Sequence, residues 1–169
     1  RVAAQEYIYP DNYVKLRYLE NHDNTRAAFL LPDESMLLNW TAFMFFQKGL
    51  TLIYGGQECG AAHLPSLFDR DSVAWDTGRD YSGLFARLKK DPLFSLGAYS
   101  LSALPGGVIR GSYALGERRA LGVFCTRARP ALIPVDWPNG NYVNQFDGSS
   151  IEIHAGMLST AGGPVIILN

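Results

Sequence analysis

The chain has 169 residues, 47% of them hydrophobic and 18% charged, so it can bury a substantial core and is not composed like a disordered segment. Fifteen Lys and Arg against sixteen Asp and Glu give a net charge of −1 without a basic stripe, which argues against nucleic acid or an anionic membrane surface as a partner. The longest apolar stretch, Met36 to Phe46, is shorter than the roughly 20 residues of a membrane-spanning helix. We therefore expect a globular protein without a membrane-bound segment.

Neither the start of the chain nor its cysteines point to a cellular location. Arg1 to Gln5 do not form a signal peptide, but a chain that resembles a fragment would have lost one, so localisation stays open. Cys59 and Cys125 lie far apart and match no zinc or redox spacing. We interpret both as ordinary buried thiols.

The first half of the chain begins with a strand pattern. Val14 to Leu19 is short and mostly apolar, and it runs into the turn-forming cluster Asn21 to Asn24. Asp33 then marks a helix start, and the helix over Met36 to Phe46 is apolar on almost every side, with Gly49 in the position of a C-terminal cap. A helix of this kind has to be covered on more than one face.

A second strand and a second helix follow. Leu50 to Tyr54 is an apolar run that predicts a strand buried on both faces, as in a parallel sheet. The pattern of Ser82 to Lys90 predicts a helix that ends before Pro92, with Leu84, Phe85 and Leu88 on one side. The order strand, helix, strand is that of a βαβ unit.

After Pro92 the pattern changes to short strands separated by turns. Gly116 lies in the connection of a predicted hairpin, and the sequences around Gly140 and Gly148 are strong turn signals. This spacing indicates an antiparallel sandwich. The predicted strands are Val108 to Tyr113, Arg119 to Thr126, Tyr142 to Phe146, Ile151 to His154 and Val165 to Leu168.

These patterns predict α/β plus all-β architecture with a boundary near residues 91 to 96. Two parallel strands cannot pair their own outer edges, and they cannot cover every face of a helix that is apolar all round. We therefore expect residues 1–92 to be the end of a larger α/β barrel or sheet, and residues 93–169 to be an antiparallel β-sandwich. Exposed strand edges leave self-association open as a hypothesis.

The residues with the clearest potential chemistry are Glu20-Asn21-His22-Asp23, at the carboxyl end of the first predicted strand. In a (β/α)₈ barrel that end faces the active site, so a carboxylate and an imidazole there are placed to meet substrate. The alternative is that Asn21, Asp23 and Asn24 only form a turn or cap a helix. Local sequence leaves both interpretations open.

Residues 16–23, Leu-Arg-Tyr-Leu-Glu-Asn-His-Asp, resemble the seventh-strand motif of the alpha-amylase family, glycoside hydrolase family 13, which ends in Asn-His-Asp. Residues 49–60, Gly-Leu-Thr-Leu-Ile-Tyr-Gly-Gly-Gln-Glu-Cys-Gly, resemble that family's eighth strand and the loop after it. Residues 67–75 resemble the family's segment before the last barrel helix, and the sandwich resembles its C-terminal domain. Two motifs in the right order and separation are more specific than either alone.

The resemblance implies that residues 1–92 are the last two strand-helix units of a (β/α)₈ barrel. It also implies an alpha-glucan substrate and a retaining mechanism, and it leaves open whether water or another sugar accepts the glycosyl group. Asp23 would be the carboxylate that stabilises the transition state, while His22 and Asn21 would bind the sugar. The nucleophile and the general acid of the family come from its fourth and fifth strands, and neither motif occurs here. We therefore expect the isolated chain to be inactive. No cofactor is evident, and calcium in the parent enzyme is left open.

Other candidate residues have simpler interpretations. Glu58 is better explained by hydrogen bonds that hold its loop than by catalysis. Tyr54 and Trp75 could stack on sugar rings or belong to buried packing. Trp137 and Tyr142 could form a small sugar-binding platform or be core or turn residues. Arg26 could pair with Asp23 or Glu20, but we favour an ordinary loop arginine, and we read His63 and His154 as surface or satisfied histidines. Calcium binding by Asp69, Asp71 and Asp76 is the alternative to a solvated acidic loop, which we prefer because the spacing of a known metal loop is missing.

Two other functional classes are alternatives to the interpretation of this chain as part of a hydrolase. One is a carbohydrate-binding or interaction module, in which the sandwich makes the contacts and the barrel remnant only packs against it. The other is a structural partner of amylase descent without catalysis, against which the presence of His22 and Asp23 argues.

Overall fold

The computed structural model describes residues 5, 8–10, 13–83 and 88–169 of the chain. Two short strands, β1 (Leu16–Arg17) and β2 (Leu50–Thr51), pair in parallel, with Leu16 opposite Leu50. Helices α1 (Ala27–Leu30) and α2 (Glu34–Phe46) lie between them in the chain. The predicted strand-helix-strand order and the parallel pairing are thus confirmed, although both strands are shorter than predicted and α1 was not expected.

The start of α2 agrees with the sequence prediction, and its end does not. The Asp33 side chain accepts a hydrogen bond from the Met36 amide at 2.9 Å, as an N-cap residue does. The helix ends at Phe46 and is capped by Gln47, so Gly49 is not the cap. Gly49 has a φ of +113°, and a Cβ there would lie 2.4 Å from the Lys15 carbonyl oxygen. Glycine is therefore required where the chain enters β2 beside the segment that leads into β1.

The second half of α2 is buried on all sides, as its composition predicts. The ring of Phe46 lies 5.2 to 5.7 Å from the rings of Phe94, Tyr113 and Phe124. Beyond its end, Lys89 Nζ donates hydrogen bonds to the carbonyl oxygens of Gln47 and Gly49. Burial of this ammonium group lowers the pKa of Lys89 to about 8.

Strand β2 is not buried on both faces, and that prediction is wrong for the described structure. Leu50 is 63% exposed and Ile53 is 41% exposed. The physical reason is that β1 is the only strand that pairs with β2 among the described residues, so one edge and part of its surface face solvent.

The predicted antiparallel sandwich is confirmed, and it follows the short helix α3 (Pro92–Leu96). One sheet has the order β10-β5-β4-β3 and the other β6-β9-β8-β7. Strands β3, β6 and β9 were not predicted. The strands are β3 (Ala98–Leu104), β4 (Val108–Leu115), β5 (Arg118–Cys125), β6 (Ala131–Pro134), β7 (Gly140–Val143), β8 (Ser150–His154), β9 (Met157–Thr160) and β10 (Val165–Leu168).

The sheet that contains β5 is covered on both faces. Its inner face contributes Leu121 and Val123 to a core shared with Ile153 and Leu158 of the other sheet. Its outer face packs Phe124 and other side chains against α2. The chain thus forms three layers in which α2 and the two sheets are stacked.

Asn39 joins α2 to the sandwich through both ends of its side-chain amide. It donates to the Gly162 carbonyl at 2.9 Å and accepts from the Cys125 amide at 2.7 Å. Cys59 and Cys125 are both buried free thiols, as predicted.

Two further predictions concern segments that the structure describes only in part. Leu84 and Phe85 of the predicted helix over residues 82–90 lie outside the described residues, whereas Leu88 is buried. In the described part of the chain, every helix is too short or too polar to cross a membrane. The predicted boundary between residues 1–92 and 93–169 stays a prediction.

Candidate functional site

The loop after β1 places Asn21 at the centre of a tight turn. Its side-chain oxygen accepts hydrogen bonds from the Asp23 amide at 3.0 Å and from Asn24 Nδ2 at 2.6 Å. The turn-forming role that local sequence left open for Asn21 is therefore real. That role accounts for the shape of the loop and does not account for the side chains of His22 and Asp23.

His22 and Asp23 project from this turn into solvent. Their side chains are 62% and 68% exposed, and His22 Nε2 lies 3.5 Å from Asp23 Oδ2. An imidazole next to a carboxylate offers a hydrogen-bond donor and an anion to a ligand that approaches from solvent. Both side chains therefore lie in an accessible position rather than in a buried turn.

A buried ion pair lies directly beneath the turn. Arg26 and Glu20 are 0% and 1% exposed, and Arg26 NH1 donates to Glu20 Oε1 at 2.7 Å. The other carboxylate oxygen of Glu20 accepts from the Ala27 amide at 2.6 Å, at the start of α1. Of the explanations for Arg26, pairing with Glu20 is confirmed and the ordinary loop arginine is wrong, because the guanidinium is fully buried and paired.

Arg26 also ties this loop to the loop that follows β2. Its NH2 group donates to the Gly55 carbonyl at 2.8 Å, and its Nε donates to the His63 carbonyl at 3.1 Å. The guanidinium carbon lies 4.2 Å from the centre of the Tyr54 ring, which is a cation–π contact. One buried side chain thus fixes the two loops at the carboxyl ends of β1 and β2 relative to each other.

The loop after β2 is held by its own hydrogen bonds. Glu58 accepts from the Gly56 amide at 2.9 Å, which agrees with the predicted loop-holding role. Gly56 has a φ of +95°, and a Cβ there would lie 2.6 Å from a methyl group of Val73. The consecutive glycines let this loop pack closely against the segment that contains Val73.

Trp75 lies beside the same loop and is 59% exposed. A Cβ on Gly55 would lie 3.6 Å from its indole ring. Of the two explanations left open for Trp75, buried packing does not fit this exposure. The aromatic face is available to solvent next to the loop that Arg26 holds.

His63 is 56% exposed and has a hydrogen-bond partner, which agrees with its interpretation as a surface or satisfied histidine. Its Nε2 lies 2.7 Å from Asp71 Oδ2. The Ser66 amide, which donates to Asp71, and then His63 lower the pKa of the Asp71 carboxyl below its ordinary value. The contact spans eight residues, and no sequence spacing marks it.

The described ranges of the chain lack the arrangement of ligands that a metal site requires. No cluster of three or more His, Cys, Asp or Glu side chains there is placed to hold an ion. Asp69 instead accepts a hydrogen bond from the Ser66 hydroxyl, and Asp71 pairs with His63. These residues form a hydrogen-bonded loop, as the solvated-loop interpretation predicts.

In the sandwich, Trp137 belongs to the core and is 6% exposed, which excludes it as an open sugar platform. Its ring meets that of Tyr142 edge to face at 6.1 Å, and the Tyr142 hydroxyl donates to the Pro138 carbonyl. The core interpretation of Trp137 is therefore confirmed.

Comparison with known proteins gives the same picture of the sandwich. Residues 100–167 match the family model described as the bacterial alpha amylase C-terminal domain. An alpha-amylase of Saccharomycopsis fibuligera is 35% identical over 74 residues, which are 41% of this chain and 15% of that protein. The matched segment is thus a small part of this curated relative.

Solved structures match the chain over almost its whole length. The crystal structure of an alpha-amylase from Lactobacillus plantarum is 32% identical with a TM-score of 0.91, and the match covers 99% of this chain and 40% of that chain. A maltogenic alpha-amylase from Thermotoga neapolitana, 24% identical with a TM-score of 0.83, shares the fold over 99% of this chain and 44% of that chain. The chain thus spans about two fifths of these relatives. Residues 100–167 thus carry the bacterial alpha amylase C-terminal domain, and the chain as a whole is similar to part of these alpha-amylases.

Proposed function

We propose that the chain is the C-terminal part of a hydrolase that acts on alpha-glucans by a retaining mechanism, and that residues 1–92 complete a (β/α)₈ catalytic barrel. One observation carries the proposal. The exposed His22–Asp23 pair stands on a buried Arg26–Glu20 pair, next to the carboxyl ends of two parallel strands. In a (β/α)₈ barrel, substrates bind at this end of the strands.

The chemistry of the turn suits a sugar that becomes positively charged as its glycosidic bond breaks. The Asp23 carboxylate supplies a fixed anion to stabilise that charge. His22 supplies a hydrogen-bond donor to a sugar hydroxyl, and the amide N–H of Asn21 adds a second. Arg26 acts as a positioning residue, because it holds the loop without being exposed to substrate.

The other two groups that retaining hydrolysis needs are a nucleophilic carboxylate and a general acid, about 5 Å apart. Both glutamates near the turn are otherwise engaged, Glu20 with Arg26 and Glu58 with the Gly56 amide. We therefore assign the nucleophile and the acid to polypeptide outside this sequence. The isolated chain is inactive under this proposal.

Calcium has no part in the proposed mechanism. The acidic side chains described above are engaged within their own loop, so the described residues do not fit a calcium site, and no step depends on one.

The test has two arms. In the first, the 169-residue chain is assayed alone on maltooligosaccharides, and no turnover is expected. In the second, the chain is fused behind the part of the Lactobacillus plantarum alpha-amylase that precedes its matched region. We expect this fusion to be active, and Asp23→Asn to lower its kcat by about 10²-fold or more because a stabilising group at the developing charge is lost.

Asp76→Asn is the matched control, because Asp76 is an exposed aspartate in the long loop after β2. It should leave kcat unchanged. Turnover by the chain alone, a folded fusion without activity, or a fusion in which Asp23→Asn is as active as its parent would each contradict the proposal.

A further inference from the structure

The inner face of the β5 sheet changes from apolar to polar towards its edge strand. The register places Ser100 opposite Ser112, and Ser112 in turn opposite Leu121 of the core. Residues opposite each other lie on one face of a sheet, so these serines stand on the same face as Leu121. The polar part lines a cavity of about 210 Å³, which we call the sandwich furrow. Its polar lining includes Ser100, Ser102, Arg110, Ser112, Arg119 and Trp137.

The polar side chains of the furrow hold one another in place. The hydroxyl oxygens of Ser100 and Ser112 are 2.8 Å apart, and Arg110 Nε donates to the Ser102 hydroxyl at 3.3 Å. Arg110 NH1 also donates to the Pro134 carbonyl at 2.7 Å, which ties the furrow to the end of β6. The groups are therefore ordered before any ligand arrives, which lowers the entropy cost of binding.

Trp137 provides an independent sign that a ligand belongs in the furrow. Its indole Nε1 is buried and has no hydrogen-bond partner among the residues that the structure describes. A buried N–H without an acceptor is costly and rare in native proteins. The Arg119 guanidinium lies 4.9 Å from the centre of the Trp137 ring and donates to the Asp136 backbone carbonyl. A ligand oxygen that reached this N–H would supply the missing acceptor.

The mixture of groups favours a neutral ligand with several hydroxyls. Serine hydroxyls both donate and accept, guanidinium and indole groups donate, and the exposed Asp136 carboxylate at the furrow accepts. An anion would compete with Asp136, whose carboxylate already lies 3.4 Å from the Arg119 guanidinium. The volume is below the ~300–1,000 Å³ of most small-molecule pockets, so it suits one sugar ring.

We propose that the sandwich furrow binds a single ring of a neutral saccharide, as a second site that is separate from the Asn21–Asp23 turn. This goes beyond the proposed function and does not depend on it, because the furrow contains none of the residues assigned to catalysis.

The test is a titration of the full ¹⁵N-labelled chain with maltose, followed through the indole N–H signal of Trp137. Trp137→Phe assigns that signal. We expect the signal to shift and saturate with a Kd on the order of 1 mM, as for a ligand held by a few hydrogen bonds. The double variant Ser100→Ala, Ser112→Ala should weaken binding about tenfold, because two hydrogen bonds are removed.

Two controls separate this site from the rest of the molecule. Ser159→Ala removes an exposed serine from strand β9 and should not change the affinity. Asp23→Asn should leave the Trp137 shift intact, so the furrow can be verified even if the catalytic proposal fails. An unchanged Trp137 signal at saturating maltose would overturn the proposal. So would wild-type affinity in the double serine variant, or displacement of maltose by sulfate, which would indicate an anion site.

Discussion

The sandwich and the strand-helix-strand segment that precedes it differ in how they bury their apolar surfaces. In the sandwich, two four-stranded sheets bury Ile153, Leu158 and Val165 against each other. In the segment over residues 13–63, Leu16, Phe29 and Leu50 are each more than half exposed. The sandwich thus closes its core with its own strands, whereas the first segment presents apolar surface and open strand edges.

This contrast shows what holds the first segment in place. Its stability depends on α2, which packs on the outer face of the β5 sheet, and on the buried Arg26–Glu20 pair. Neither is a closed core of its own. The sandwich therefore serves as the support on which the loops of the candidate site are built.

The largest effect is expected from Arg26→Ala. Removal of one partner leaves the Glu20 carboxylate buried and unpaired, which costs about 3–5 kcal/mol. We expect native-state hydrogen exchange to show lost protection in residues 13–63, while the sandwich strands retain theirs. Arg70→Ala, which changes an exposed arginine in the loop that follows this segment, is the control and should change neither. Equal loss of protection in both regions would mean that they unfold as one unit and would remove the contrast.

A smaller effect is expected where the two regions meet. A Cβ on Gly111 would lie 2.6 Å from the Phe46 ring, so Gly111→Ala should push α2 away from β4. Overpacking of this kind costs about 1–3 kcal/mol, measured as the free energy of unfolding in urea. Gly163→Ala is the matched control, since nothing lies within 4 Å of a Cβ there. If Gly111→Ala were as stable as the control, α2 would not be tightly packed on the sheet.

The smallest effect is expected from a change in the Arg118–Asp91 ion pair, which is more exposed than the Arg26–Glu20 pair. Arg118 NH2 lies 2.6 Å from Asp91 Oδ2, and its hydrogen bonds, followed by that of the Leu93 amide, lower the pKa of Asp91 below 3.8. The lowered pKa means that this stabilisation is complete above about pH 4 and is lost as the pH falls through the folded-state value.

The variant Arg118→Gln should therefore have a slightly lower thermal midpoint than the parent at neutral pH. Below pH 4, its midpoint should fall less steeply with pH than that of the parent. The measurement is the thermal midpoint from pH 2 to pH 7. Because Arg118 is about half exposed, solvent screens the pair, and the change should be far smaller than for Arg26→Ala. A comparable loss in both variants would show that burial is not what distinguishes them.

Several features could be predicted because they are encoded by neighbouring residues. Asp33 caps α2 through an amide three residues away, and Gly116 lies in the turn between β4 and β5. The edge strand β3 was not predicted, although Ser100 and Ser102 alternate with apolar residues as in a half-buried strand. Burial of β2 on both faces was mispredicted because an apolar run indicates that a strand can be buried, but it does not show which neighbouring elements cover that strand.

For the candidate site, the sequence motif identified Asn21, His22 and Asp23, and their assigned roles stay predictions. It did not reveal that Arg26 is buried, since an arginine six residues from a glutamate has no distinctive spacing. A glutamate and an arginine on either side of the turn were the only signal available.

The sequence by itself determined the family motifs, the helix start at Asp33 and the change from strand-helix units to a sandwich, because these depend on contacts within a few residues. Only the tertiary structure decided that Arg26 joins Glu20 to Gly55 and His63, and that Asn39 joins α2 to Cys125 and Gly162. The physical reason is that a polar side chain is stable in the interior only when distant backbone or side-chain groups complete its hydrogen bonds, and those partners are set by the packing of whole elements.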